Sequence, residues 1–340
     1  MRKNMIIGIC LTALVIVVAV VVLPNQIPIT PAINNTTVVQ SETNITEKPT
    51  PLPGMGSSAA LGKLSHNLVL NSALSLDDAR NRAGETVIVY KTVPPVVTKE
   101  VTLALAKKFN VTGKLRGDTT VQSEDLATFV TIDKNTGTVI YQNSNQLDET
   151  NSVFIPEDVP SDEEAIKIAN TFLQQLDLLP EDAEPVSVEH RKTYRLINKD
   201  NSKKVIWEER VVWYGGKLNS LKVHGRSIDV EINADGKIME YYANWRNYTP
   251  SGEYPLKSPK EAFDELKSRG VAVGMNEPDI VSIDQVELAY NSMPGAYVEK
   301  YLGPVYVFKG QVMVNGKPVM SISEYVSALT DDAAKSLSSP

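Results

Sequence analysis

Nineteen residues from Met5 to Leu23 carry no charged side chain and are mostly Ile, Val, Leu and Ala. A helix of that length rises about 28 Å, close to the roughly 30 Å hydrocarbon core of a bilayer. A buried core helix would show polar residues at helical spacing. A cleaved leader would carry a shorter apolar region followed by a small-x-small site. Val20-Val21-Val22-Leu23-Pro24 offers no such site, and Cys10 follows Ile9 with too little apolar sequence upstream for a lipid-attachment position. Residues 5–23 are therefore expected to form a transmembrane anchor. Arg2 and Lys3 precede it and no Lys or Arg follows until Lys48, so the positive-inside bias puts residues 1–4 in the cytoplasm. The rest is then the extracytoplasmic part of a single-pass cell-membrane protein.

Residues 24–62 are rich in Asn, Thr, Pro, Ser and Gly and hold too little apolar material to offset the entropy of ordering, which predicts a disordered stalk. Asn34, Asn35 and Asn44 begin Asn-x-Thr glycosylation triplets in this stalk, and Asn110 and Asn247 begin two more. The chain has 34 Lys and Arg against 41 Asp and Glu, a formal charge of −7. Without Arg2 and Lys3 the exported part holds 32 cations against 41 acids, which excludes a nucleic-acid backbone as partner and keeps the chain off anionic headgroups. A single cysteine excludes an intramolecular disulfide and a cysteine-based zinc site, and no cofactor is expected.

The remainder reads as three stretches, each with a helix and antiparallel strands. The first, 85–145, has a strand over Thr86–Tyr90 and a helix over Thr98–Phe109 with Val101, Leu105 and Phe109 on its inner face. A hairpin follows, Ala127–Ile132 to Thr138–Tyr141, turning at Gly137. The second, 161–250, opens on the capping box of Ser161 and Glu164. Ala165, Ile168, Ala169, Phe172, Leu173 and Leu176 form the stripe of its helix. Its strands fall at Val186–Leu196, Val205–Tyr214, Lys222–Ile232 and Lys237–Ala243, and the alternation of Ser227 to Ile232 predicts a sheet with one wet face. The third, 258–325, opens on Ser258, Pro259 and Glu261, closes its helix at Gly270, and places strands near Ser282–Tyr290, Gly303–Val314 and Val319–Ile322. An Asn315-Gly316 turn joins the last two, and the tail after Leu329 is expected to fray. The fold class is α+β: anchor, stalk, then tandem layers of helix on antiparallel sheet.

The hairpin Val130-Thr131-Ile132-Asp133-Lys134-Asn135-Thr136-Gly137-Thr138-Val139 resembles the closing hairpin of the PepSY domain, as does Val230-Glu231-Ile232-Asn233-Ala234-Asp235-Gly236-Lys237-Ile238 more loosely. Asn233 stands where that family often has Asp, and the strands of the second stretch are longer than usual. The openings Ser161-Asp162-Glu163-Glu164-Ala165 and Ser258-Pro259-Lys260-Glu261-Ala262 resemble the family's helix starts. Leu288-Ala289-Tyr290 with Pro304-Val305-Tyr306-Val307-Phe308-Lys309-Gly310 is similar to the membrane-anchored regulators beside the wall-sensing histidine kinase of Gram-positive bacteria. The resemblance spans residues 85–325. It implies a non-catalytic extracytoplasmic regulatory module that binds or restrains another membrane or envelope protein.

No phosphate loop, dinucleotide fingerprint, His-Glu-x-x-His or Gly-x-Ser-x-Gly motif occurs, and only His66, His190 and His224 supply imidazole. Residues Glu208 and Glu209 lie between Trp207 and Trp213. Adjacent strand residues face opposite ways, so the two acids cannot address one glycosidic bond, and the two Trp are expected to pack against a helix. From Asp148 to Glu184 eleven acids accompany one base, Lys167. That stretch reads as a solvated acidic face, with a calcium site or a basic-partner dock as the alternatives. Trp245, Arg246 and Tyr248 have the composition of an interface hot spot and are the expected partner contact. The reading is a binding protein and not an enzyme; an envelope hydrolase built on His190 or His224 and a structural envelope component are the alternatives.

Overall fold

The computed structural model describes residues 64–71, 74, 76, 85–146, 159–196, 203–273 and 280–338. The expected anchor over 5–23, the stalk over 24–62 and the triplets at Asn34, Asn35 and Asn44 lie outside them. No helix among the described residues is long and apolar enough to cross a membrane.

Elements follow in the order β1 (Leu64–Ser65), β2 (Leu68–Leu70), β3 (Thr86–Thr92), α1 (Lys99–Lys108), β4 (Lys114–Arg116), β5 (Thr120–Gln122), β6 (Thr128–Ile132) and β7 (Val139–Asn143). After α2 (Asp162–Gln175) come β8 (Ala183–Leu196), β9 (Lys203–Leu218), β10 (Leu221–Ile232), β11 (Ile238–Asn244) and β12 (Tyr248–Pro255). The last part holds α3 (Pro259–Arg269), β13 (Val271–Ala272), β14 (Ile280–Asn291), β15 (Tyr301–Leu302), β16 (Pro304–Val314), β17 (Lys317–Ser327) and α4 (Asp331–Ser338).

The local signals are where the residues require them. Ser161 and Ser258 each accept from the amide three residues on, and Glu164 and Glu261 return the bond, so both capping boxes form. Gly137 and the pair Asn315 and Gly316 take the positive φ their turns demand.

Strand β10 organises the sheet. Its first half pairs with β14 in parallel at Val223 and His224, its second half pairs with β11, and β9 runs along its other edge. One twelve-stranded sheet results: β14-β16-β17 continues from the first half of β10 and β11-β7-β6-β5-β4 from its second half, with β2 beside β14 and β8 beside β9. The cores do not follow the three sequence stretches. α1 and α2 bury Ala106, Phe109, Ala165, Ala169 and Leu173 against Val130, Tyr141, Val212, Tyr214, Ile228 and Val230, so 85–145 and 161–250 share one core. The second core gathers Val89, Phe263, Leu266, Tyr290, Tyr306 and Phe308.

Several expectations are corrected. Strand β3 leaves the stretch it opens and sits between β12 and β15 in a separate three-stranded sheet. Its partner β12 accommodates Pro250 and Gly252 at a register shift. Val101 is 40% exposed, because Thr102 and Ala106 take the inner face of α1. The hydroxyl of Thr102 donates to the carbonyls of Thr98 and Asp118, which is how a polar residue is tolerated there. The tail is not frayed: Ala333 and Leu337 of α4 join the second core. Leu337→Ala is expected to lower the unfolding free energy by about 2 kcal/mol, read as a shift of the urea midpoint; an unchanged midpoint would mean that α4 is undocked in solution.

Candidate functional site

Arg246 is buried and Trp245 and Tyr248 are half-buried, and all three make contacts within the chain. Arg246 is 4% exposed. Its guanidinium donates to Ser292 Oγ and to the carbonyls of Met293, Pro294 and Tyr297 at 2.6–3.1 Å. It also lies 3.6 Å from the buried Glu299 carboxylate, which accepts from the Met293 amide and the Tyr248 and Thr92 hydroxyls. Trp245 lies under the Arg226 guanidinium, 4.1 Å from the ring centroid. The residue types of a hot spot here serve an internal seam between the β11–β12 connection and the loop 292–299. Asn110 and Asn247 are both exposed.

The histidines stand apart. His66 meets the Lys267 carbonyl at 3.1 Å. His190 Nε2 is 2.6 Å from Asp162 at the start of α2, and both side chains are about half exposed. His224 Nε2 is 3.2 Å from Glu287. That hydrogen bond first, with Lys309 beside it, holds the Glu287 carboxyl down at about 2. Among the described residues neither His190 nor His224 hydrogen-bonds to a hydroxyl or thiol.

Along β9 the side chains alternate as strand geometry requires. Val212 and Tyr214 face α2, the Tyr214 hydroxyl donating to Asn170. Glu208 shares that face and accepts from Arg210 at 2.7 Å, with Lys192 at 3.3 Å. Trp207, Glu209, Val211 and Trp213 take the face away from the helices, which corrects the expected helix packing of the two Trp. Their indole N–H groups instead donate to Glu209 and Glu189.

That far face carries the concentration of charge. Asp229 and Glu231 stand two apart on β10, and Glu240 on β11 lies directly opposite Glu231. One oxygen from each lies within 4.8 Å of the other two. Arg191 reaches across from β8, donating to Glu231 and Glu189 and lying 4.0 Å from Glu209. Burial, with Glu240 and Glu231 adding to it, pushes the Asp229 carboxyl well above the ordinary carboxylate range. Burial first and Glu231 second push Glu240 up to about 8. Glu231 is raised by burial against the pull of Arg191. The predicted wet face is thus a largely buried one: Asp229 is 6% exposed and Val211 is fully covered. The alternation of Ser227 to Ile232 was the available signal. The hairpin turn at residues 233–236 sets Glu240 against Glu231, but burial of that face is not written in the pattern.

A second feature lies on the helix side. A shallow groove of about 780 Å³ runs between α2 and the β10–β11 turn. Ile168, Phe172 and Ile238 form its half-buried floor, and Glu164, Lys167, Asp235 and Lys237 its exposed rim. Phe172 is braced from behind by Phe109 and Tyr241, at 6.0 and 6.4 Å between ring centroids.

No protein-family profile matches this chain, and no curated protein does. Among solved structures it is similar to the crystal structure of an uncharacterized protein from Eubacterium rectale ATCC 33656. The identity is 12% and the TM-score 0.38, over 77% of this chain and 88% of that one.

Proposed function

We propose that the chain is a non-catalytic, membrane-anchored extracytoplasmic module of PepSY-like units that binds and restrains another envelope protein, with the α2 groove as its contact. The observation that carries this reading is the groove itself. Its apolar floor, its rim of both charge signs and its size suit an extended peptide segment. A partner segment of alternating apolar and charged residues would place the former on Ile168 and Ile238 and the latter against Lys167 and Asp235. The apolar run over 5–23 and the resemblance of the 130–139 hairpin support the anchored, regulatory part of the reading.

Crosslinking of the full-length protein in its native membrane, followed by mass spectrometry, tests it. Thr171 lines the groove and is exposed, so Thr171→Trp obstructs the groove without entering the core. One recurrent membrane partner is expected, with recovery reduced about tenfold in Thr171→Trp, equivalent to roughly 1.4 kcal/mol of binding. No recurrent partner, or unchanged recovery in the variant, overturns the proposal.

A further inference from the structure

The far face of the sheet poses a separate problem. Buried carboxylates elsewhere among the described residues have donors: Glu208 has Arg210 and Lys192, Glu324 has Arg269, and Glu299 accepts three hydrogen bonds. Asp229, 94% buried by its 6% exposure, accepts no hydrogen bond from any described residue, and its carboxylate is aimed at Glu231 and Glu240. Glu240 likewise has no described donor. The nearby cation, Arg191, is divided among Glu231, Glu189 and Glu209 and donates no hydrogen bond to Asp229 or Glu240. Like charges directly opposite on adjacent strands are destabilising, and the hairpin register keeps these from separating.

We propose that Asp229, Glu231 and Glu240 bind one hard divalent cation, calcium in its chemistry. Two observations carry this: three convergent oxygens, and a buried carboxylate without a donor aimed among them. The donor set is oxygen only, with no imidazole or thiolate, which disfavours zinc and copper. Calcium takes mono- and bidentate carboxylates at about 2.3–2.6 Å, so its ligand oxygens lie up to about 4.8 Å apart, and the three oxygens here fall within 4.8 Å of one another. The sheet fixes that spacing, because the three positions are a strand repeat and a cross-strand pair. Water completes the coordination. The ion would balance the charge that Arg191 leaves over, and it would tie β11 to β10, the strand that joins the two halves of the sheet.

The neighbours also supply a reporter. Trp213 and Tyr242 lie opposite Asp229 on β9 and β11, within energy-transfer reach of a bound lanthanide. Full-length protein in detergent, stripped with chelator, is titrated with calcium chloride by calorimetry and with terbium chloride by luminescence excited through Trp. One saturable site is expected, with terbium emission chased by calcium. In Asp229→Asn and Glu240→Gln the affinity falls at least about tenfold with the near-ultraviolet circular dichroism unchanged. Glu163→Gln, in the exposed first turn of α2, keeps the wild-type affinity. If the two site variants fail to fold, the wild-type stoichiometry and the calcium chase decide. Absence of saturable calcium heat and sensitised emission in the wild type overturns the proposal. So does affinity unchanged in both site variants, or an equal loss in Glu163→Gln.

Discussion

Replacing Arg246 by Ala is expected to lower the unfolding free energy by about 3–5 kcal/mol, the usual cost of leaving one member of a buried ion pair alone. Four hydrogen bonds to Ser292, Met293, Pro294 and Tyr297 disappear with the guanidinium, and Glu299, whose side chain is 1% exposed, keeps its charge in a closed site. Urea unfolding at neutral pH measures the loss. The variant Arg246→Met with Glu299→Gln should be more stable than Arg246→Ala, since no lone charge remains. The pH dependence has a definite sign. Burial already raises the Glu299 carboxyl above its ordinary range with Arg246 present, and losing the cation raises it further. The folded state then binds the proton more readily than the unfolded chain. Stability therefore falls as pH rises from the ordinary carboxylate range of about 4.3 through the folded value, and the Arg246→Ala deficit is smallest at acid pH. A deficit independent of pH would assign the loss to the severed carbonyl contacts and not to Glu299.

Gly225→Ala is the second large effect. Gly225 sits in the β10 irregularity between Val223 and Ser227, with φ +76°, and a Cβ there would lie 2.3 Å from the Ser292 carbonyl oxygen. The neighbouring His224 carbonyl accepts from the Ser292 amide at 2.8 Å, and the Gly225 carbonyl accepts from Asn244 Nδ2 at 2.6 Å, so neither backbone can withdraw without losing a bond. Overpacking of about 1–3 kcal/mol adds to a left-handed backbone penalty of roughly 1–2 kcal/mol. Gly117→Ala separates the two, because Gly117 has φ +58° and nothing within 4 Å of the added Cβ. It should show the backbone part alone. Equal losses in the two variants, measured by thermal or urea unfolding, would mean that the seam at Ser292 yields to the methyl group.

The irregularity at Gly225 does more than admit the loop. It lies where the edge of β10 passes from β14 to β11, so the same glycine allows one strand to serve both halves of the sheet. The Arg246 seam fixes the loop 292–299 against that junction. Stability of this region therefore depends on one close backbone approach and one buried guanidinium. Gly225 looks unremarkable in the sequence, and Arg246 reads there as an outward contact.

What the sequence determined by itself is what depends on residues within one turn or one hairpin of each other. Ser161 with Glu164, and Ser258 with Pro259 and Glu261, specify helix starts because each cap bonds an amide three residues away. Gly137 and Asn315-Gly316 specify hairpins because the turn needs positive φ at those positions. The groove floor was legible as the apolar stripe of α2, though not that Ile168 and Phe172 stay half exposed. What the tertiary structure decided is which distant segments meet. Strand β3 has the same alternation whether it pairs near its own helix or between β12 and β15, since strand pattern specifies a face and not a partner. Arg246 reads as a surface contact until one hydroxyl and three carbonyls from residues about fifty positions away enclose it. Asp229 and Glu231 read as wet until the face they share is covered. Burial and pairing are properties of the assembled chain, and residue type alone constrains them only where the contact is local.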